Sequence, residues 1–203
     1  MRLLAIMDWQ HVGKPDRPSD RGAAFDVDGD GVIGRYETEA GAVARYWLEA
    51  QAWAADRKID VIPMADGRYS DRHARANSYA AAWRSSSSRA GRVAYLACHA
   101  NAGAGRYGAL FYDARSRGGL ALAGALAGEL RKLEELGDTR VIACGPGDRP
   151  FTTIAGVYSG APVGVCLEPG FLDGPEHRAL WTPDGAERLG RAIAAGLDAW
   201  RES

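Results

Sequence analysis

Apolar and polar positions fall into two kinds of block along this chain. Short, mainly apolar runs recur at Leu3–Met7, Ile59–Ile62, Val93–Cys98, Ala109–Tyr112, Val141–Ala143 and Val163–Leu167. Each has the length and continuity of a strand buried on both faces. Pro63 follows the second run and is expected to stop it. Longer stretches between the runs carry apolar residues at helical spacing. Residues 38–55 place Val43, Trp47, Leu48 and Ala54 in this way, and 72–83 reads as a second helix running into a solvated loop at Ser85–Ser88. The span 120–136 repeats Leu at 122, 126, 130, 133 and 136, with Gly137 as its expected stop. A last helix is expected from Pro183, with Thr182 as N-cap, to Trp200. Strands alternate with helices, and neither a repeat nor a composition break interrupts them. The pattern predicts one α/β domain over 1–203, a largely parallel central sheet with helices on both faces.

Composition narrows the classes of function. The chain has 203 residues, 46% hydrophobic and 25% charged, enough to bury roughly 70% of its unfolded surface without a disulfide scaffold. Its 25 basic and 26 acidic residues leave a net charge of −1, without the basic excess that nucleic-acid binding requires. No apolar run approaches the roughly 20 residues of a membrane span. The first run ends at Asp8, too short and wrongly flanked for a signal peptide. Cys98, Cys144 and Cys166 are widely spaced and odd in number, and are expected to be buried apolar residues.

Chemistry concentrates at strand ends. Among four histidines, at 11, 73, 99 and 177, His11 lies just past the first strand and His99 at the end of the third. Glu168 ends the Val163–Leu167 run. In open α/β sheets ligands collect beyond the carboxyl ends of the strands.

The sequences around these residues resemble zinc-dependent N-acetylmuramoyl-L-alanine amidases. Cys98-His99-Ala100-Asn101-Ala102 is similar to that family's S-I-H-A-N-A, and Val165-Cys166-Leu167-Glu168-Pro169-Gly170-Phe171-Leu172 to its V-L-V-E-x-G-F-L. Asp8-Trp9-Gln10-His11 stands where the family has D-P-G-H, and Asp20-Arg21-Gly22-Ala23 resembles the following D-P-G-A. Arg72-His73-Ala74-Arg75-Ala76-Asn77 fits its R-x-x-x-A-N helix. The resemblance implies a zinc ion held by His11, His99 and a glutamate opening the first helix, with Glu168 as catalytic acid/base. That glutamate is Glu37 or Glu39, and the register of Glu39-Ala40-Gly41-Ala42-Val43 favours Glu39. Such a site supplies a metal-activated water and a carboxylate to move its proton.

The reaction so implied is hydrolysis of the amide between N-acetylmuramic acid and L-alanine of the peptidoglycan stem peptide, by a monomer with no nucleic-acid or membrane partner. With no leader in view, the expectation is a phage lysin released by host lysis, or a bacterial wall enzyme exported or released by other means. A zinc peptidase cutting within the stem peptide is a second reading, and an inactive, calcium-stabilised wall-binding module a third. The sequence around Ser159 lacks the nucleophile-elbow spacing of a serine hydrolase.

Two departures bear on the groove. Gln10 and Val12 flank His11 where the family has glycines, and the 22 positions from Asn77 to His99 exceed the usual span. Cys98, adjacent to His99, should face away from it, whereas Cys166 shares the face of Glu168 and is expected to pack beside the site. His73 and His177 are expected in surface or supporting roles.

A second metal is expected at residues 26–37. Asp26, Asp28 and Asp30 occupy positions 1, 3 and 5 of an EF-hand-like loop, with Gly31 at the sharp turn and Ile33 at the apolar position. Val32 would offer its carbonyl to calcium and Glu37 a bidentate carboxylate. Pro15 and Pro18 make the preceding segment a poor helix, so only the exiting helix is expected. If Glu37 and Glu39 both lie on that helix, they point about 200° apart, one toward each metal.

Overall fold

The computed structural model describes residues 1–86, 91–157 and 162–203. Ser87, Ser88 and Ser159 lie outside the described residues. Six strands, β1 (Arg2–Trp9), β2 (Asp60–Met64), β3 (Gly91–Cys98), β4 (Gly108–Asp113), β5 (Thr139–Cys144) and β6 (Val163–Glu168), form one sheet in the order β2-β1-β3-β6-β4-β5. β2, β1, β3 and β6 run parallel. β4 and β5 are parallel to each other, and β4 meets β6 antiparallel. The sheet is therefore largely parallel, with its one reversal at β6–β4.

Both faces are covered, which is why the strands read as continuous apolar runs. Leu3, Ala5 and Met7 share a core with α1 (Glu39–Asp56), α3 (Arg117–Leu130) and α5 (Pro183–Glu202). Leu4 and Ile6 point the other way and pack with Tyr95 and with Ala76 and Ala80 of α2 (Tyr69–Ser86). On α5, Leu189, Ile193, Leu197 and Trp200 are buried. Gly190 has no room for a Cβ, because the Glu49–Ala50 backbone of α1 lies against it. All three cysteines are free and buried.

Four local expectations are corrected. Pro63 does not stop β2 but pairs opposite Met7 within it. β2 is an edge strand, where a residue without an N–H is tolerated. α2 continues through Ser85 and Ser86, which are exposed as expected but helical, with their hydroxyls donating back to the Ala82 and Trp83 carbonyls. The 120–136 periodicity is split, since α3 ends at Leu130 and a 3-10 turn, Glu134–Leu136, keeps Leu136 in the core. Arg131 marks the break, its guanidinium bonded to the Thr139 carbonyl at the start of β5. The long Asn77–His99 span extends the far end of α2, where Trp83 bonds Asp60 at the start of β2. Among the described residues, that far end of α2 meets the amino end of β2, opposite the carboxyl ends of the strands.

At those carboxyl ends a buried ion pair ties α2 to β1. Arg72 Nη1 lies 2.7 Å from Asp8 Oδ1, with both side chains fully buried. The same guanidinium donates to the carbonyls of Trp9, Val12 and Gly67. Tyr95 and Gln10 donate to the other Asp8 oxygen. Burial outweighs the attraction of Arg72 and raises the Asp8 pKa, so the pair is held by its surroundings more than it stabilises them. Arg72→Met strands a buried carboxylate and should cost about 3–5 kcal/mol. Asp8→Asn combined with Arg72→Met should recover part of that loss. Urea unfolding checks both, and a single-variant loss below about 1 kcal/mol would contradict this account.

Candidate active site

Three segments converge beyond β1 and β3. His11 follows β1 with φ +59°, a left-handed conformation that non-glycine residues adopt only where their surroundings hold it. Here the Arg72 bonds to the Trp9 and Val12 carbonyls on either side supply the hold. Gln10 and Val12 thus stand in for flanking glycines because the strain falls on His11 itself. His99 follows β3, with its backbone N–H on Leu167 O of β6 and its carbonyl accepting from the buried Tyr46 hydroxyl at 2.7 Å. Glu39 opens α1, whose N-cap is Thr38. Trp9 and Trp47 tie α1 to β1 through indole bonds to the Ala40 and Met7 carbonyls.

One carboxylate collects both histidines. Glu39 Oε1 lies 2.8 Å from His99 Nδ1 and 3.2 Å from His11 Nε2. One ligand atom from each of the three residues lies within 4.8 Å of the others. Burial by itself raises the Glu39 pKa, but hydrogen bonds to His11 and His99 overcome it and leave the carboxyl at about 2. Burial lowers the His11 pKa, and its bonds to Glu39 and Asp20 reverse this and raise it.

Asp20, absent from the expected site, orients His11. Its Oδ1 is 3.1 Å from His11 Nδ1 and its Oδ2 2.8 Å from Lys14 Nζ. Hydrogen bonds from Lys14, the Gly22 N–H and His11 outweigh burial and hold Asp20 well below the usual carboxylate range. A carboxylate on the far nitrogen of a ligating histidine is a common supporting arrangement, and Asp20-Arg21-Gly22-Ala23 was the signal that pointed to it.

Glu168, at the end of β6, lines the same cavity of about 680 Å³ as His11, Glu39 and His99. Burial raises its pKa, with Glu39 adding to the rise and His99 opposing it. Cys98 and Cys166 pack on opposite faces of the sheet. His73 and His177 are buried, not surface residues. His73 Nε2 is 2.8 Å from Thr153 O, and His177 Nδ1 accepts from the Phe171 N–H.

The 26–37 loop is joined to the site at its base. Ala24 and Thr38 form an antiparallel bridge, and Glu39 N–H donates to Ala23 O at 2.7 Å. The carboxylates of Asp26, Asp28 and Asp30 lie within 4.8 Å of one another. Val32 is exposed, and its N–H donates to Asp30. Glu37 accepts from the N–H groups of Val27, Asp28 and Gly34. It precedes the helix, so the Thr38 turn, not a helical offset of 200°, separates it from Glu39.

Gly22, at φ +71°, presses against the Glu39 carboxylate, leaving no space for a Cβ. A carboxylate depressed to about 2 contributes stability that is complete above its unfolded pKa and is lost as pH falls toward 2. Gly22→Ala displaces Glu39, so in metal-free protein it should lower the melting temperature more at pH 6 than at pH 3. Backbone strain alone predicts equal losses at both pH values.

No family model matches the chain, and neither does any curated protein. Solved structures do match. Cwp6 from Clostridium difficile superimposes with a TM-score of 0.71 at 15% identity, over 98% of this chain and 29% of that one; this chain thus spans under a third of Cwp6. The N-acetylmuramoyl-L-alanine amidase AmiC2 of Nostoc punctiforme gives 0.68 at 16% identity, over 99% and 98% of the two chains. The N-acetylmuramyl-L-alanine amidase Ami1 from Mycobacterium smegmatis gives 0.64 at 18%, over 98% and 97%. At these identities the likeness is one of backbone, and it establishes that this chain has the fold of the N-acetylmuramoyl-L-alanine amidases.

Proposed function

We propose that this chain is a zinc-dependent peptidoglycan amidase, hydrolysing the amide between N-acetylmuramic acid and L-alanine of the stem peptide. The observation that carries this reading is the His11–Glu39–His99 group beside Glu168 in one cavity, on an amidase fold. The group suits a metal. Two histidines and a carboxylate are the donor set of hydrolytic zinc sites, and His99 Nε2 is buried without a hydrogen-bond partner. Zinc held there would supply an acidified water and polarise the scissile carbonyl. Asp20 fixes the ring of His11, and Tyr46 fixes the backbone of His99. Glu168, its proton affinity raised by burial, accepts the proton of the attacking water and returns it to the leaving amine. No helix among the described residues is long and apolar enough to cross a membrane.

His99→Ala should lose both zinc and activity. Glu168→Gln should retain zinc and lose about 10²–10⁴-fold in kcat; equal zinc loss in both variants would overturn this division of roles. Mass spectrometry of digested peptidoglycan should show intact stem peptides beginning with L-alanine and bare glycan, abolished by a chelator. Fragments cut within the peptide would replace this reading with the peptidase one.

The 26–37 loop is proposed to take calcium through Asp26, Asp28, Asp30, the Val32 carbonyl and Glu37. Support comes from the filled EF-hand-like positions and from the proximity of the three aspartates. The ion would stabilise the base of the loop, and with it Glu39, without entering the chemistry. Calcium should raise the melting temperature of the wild type, and Asp28→Ala should lower that temperature and abolish the response. An unchanged wild-type melting temperature would refute it.

A further inference from the structure

Beyond the His11–Glu39–His99 group, the cavity brings three cations, Lys14, Arg17 and Arg149, together with the carboxylates of Asp20 and Glu168. Lys14 is held 2.8 Å from Asp20. Arg17, in the loop after β1, and Arg149, in the short helix α4 (Arg149–Thr152), line the cavity with Glu168. Both are exposed, and neither guanidinium makes a hydrogen bond or ion pair among the described residues. Arg117 and Arg178 are unpaired as well, so position rather than lack of a partner marks these two. A second cleft of about 360 Å³ adjoins the first, sharing Lys14, Arg17 and Tyr69 with it and adding Arg68 and Asp16. The Arg68 guanidinium is likewise without a partner. The groove therefore leads from Glu168, with Arg149 close enough to act on its charge, past Arg17 to Arg68, and among the described residues none of the three guanidiniums is engaged in a hydrogen bond or ion pair.

Guanidiniums in a concave surface focus potential and grip carboxylates bidentately. In a muramoyl-peptide, the sugar side of the scissile amide is uncharged, whereas the peptide side carries free carboxylates. We infer that Arg17, Arg149 and Arg68 form a carboxylate-binding groove that seats the acidic peptide arm of the substrate and favours its free-acid over its amidated form. This rests on the amidase reading above.

The test uses the zinc-loaded full chain and two synthetic muramoyl-tripeptides, one with free peptide carboxylates and one with carboxamides in their place. The wild type should prefer the free acid by about tenfold in kcat/KM, mainly through KM, the size expected of one charge-assisted bond. Arg17→Gln, Arg149→Gln and Arg68→Gln should each move the ratio toward one. Because the readout is a ratio, a general loss of activity does not imitate the effect. Turnover of both substrates with a wild-type ratio of one, or a ratio unchanged in all three variants, refutes the groove and leaves the amidase reading standing. If neither substrate is cleaved, calorimetry with the free tripeptide and its amidated counterpart decides. Arginine-dependent preference for the acid keeps the groove and removes the amidase reading, and equal binding removes both.

Discussion

The site depends first on a cation placed where water cannot reach it. Arg72 is fully buried, and its guanidinium joins Asp8, at the end of β1, to the carbonyls of Trp9, Val12 and Gly67. A planar group with five fixed donors can satisfy a carboxylate and several carbonyls at once. The Trp9 and Val12 carbonyls belong to the turn that carries His11 in a left-handed conformation. The clamp holds the backbone of the turn, and Asp20 and Glu39 hold the imidazole it presents. The interaction explains why a helix on one face of the sheet governs a residue that works beyond the carboxyl end of β1.

Glu39 plays the matching part on the other side. As the first residue of α1 it sits where the Thr38 cap and the helix dipole favour negative charge. It is the common acceptor for both histidines and takes the Ala23 N–H as well. Its low pKa follows from this sharing. The same turn anchors the 26–37 loop, so Glu37 and Glu39, two residues apart, serve different structures: Glu37 closes the acidic loop through backbone N–H groups, and Glu39 faces the histidines.

Where periodicity and turn chemistry speak locally, reading the chain worked well. The six strands, the helix over 38–55 and the last helix with its Thr182 cap stand close to where apolar spacing and turn chemistry put them. Errors arose where a local rule met a tertiary exception. Pro63 survives in β2 because the strand has an open edge. Ser85 and Ser86 lie in the last turn of α2, which carries on to meet the start of β2 through the Trp83–Asp60 bond. His73 is buried with its Nε2 against the Thr153 carbonyl and His177 with its Nδ1 on the Phe171 N–H, and no spacing along the chain announces such partners.

By itself, then, the sequence determined the alternation of buried strands and amphipathic helices, hence the layered α/β class, and it marked His11, His99 and Glu168 as strand-end residues. These are properties of short segments, encoded in the order of apolar and polar side chains. Tertiary structure brought Glu39, which the helix register had favoured over Glu37, onto both histidines, and it alone decided that Asp20 orients His11 and that Arg17, Arg68 and Arg149 share one groove. Each of these depends on segments brought together by the sheet order β2-β1-β3-β6-β4-β5. That order comes from burying both sheet faces at once, a condition on the whole chain that no single segment contains.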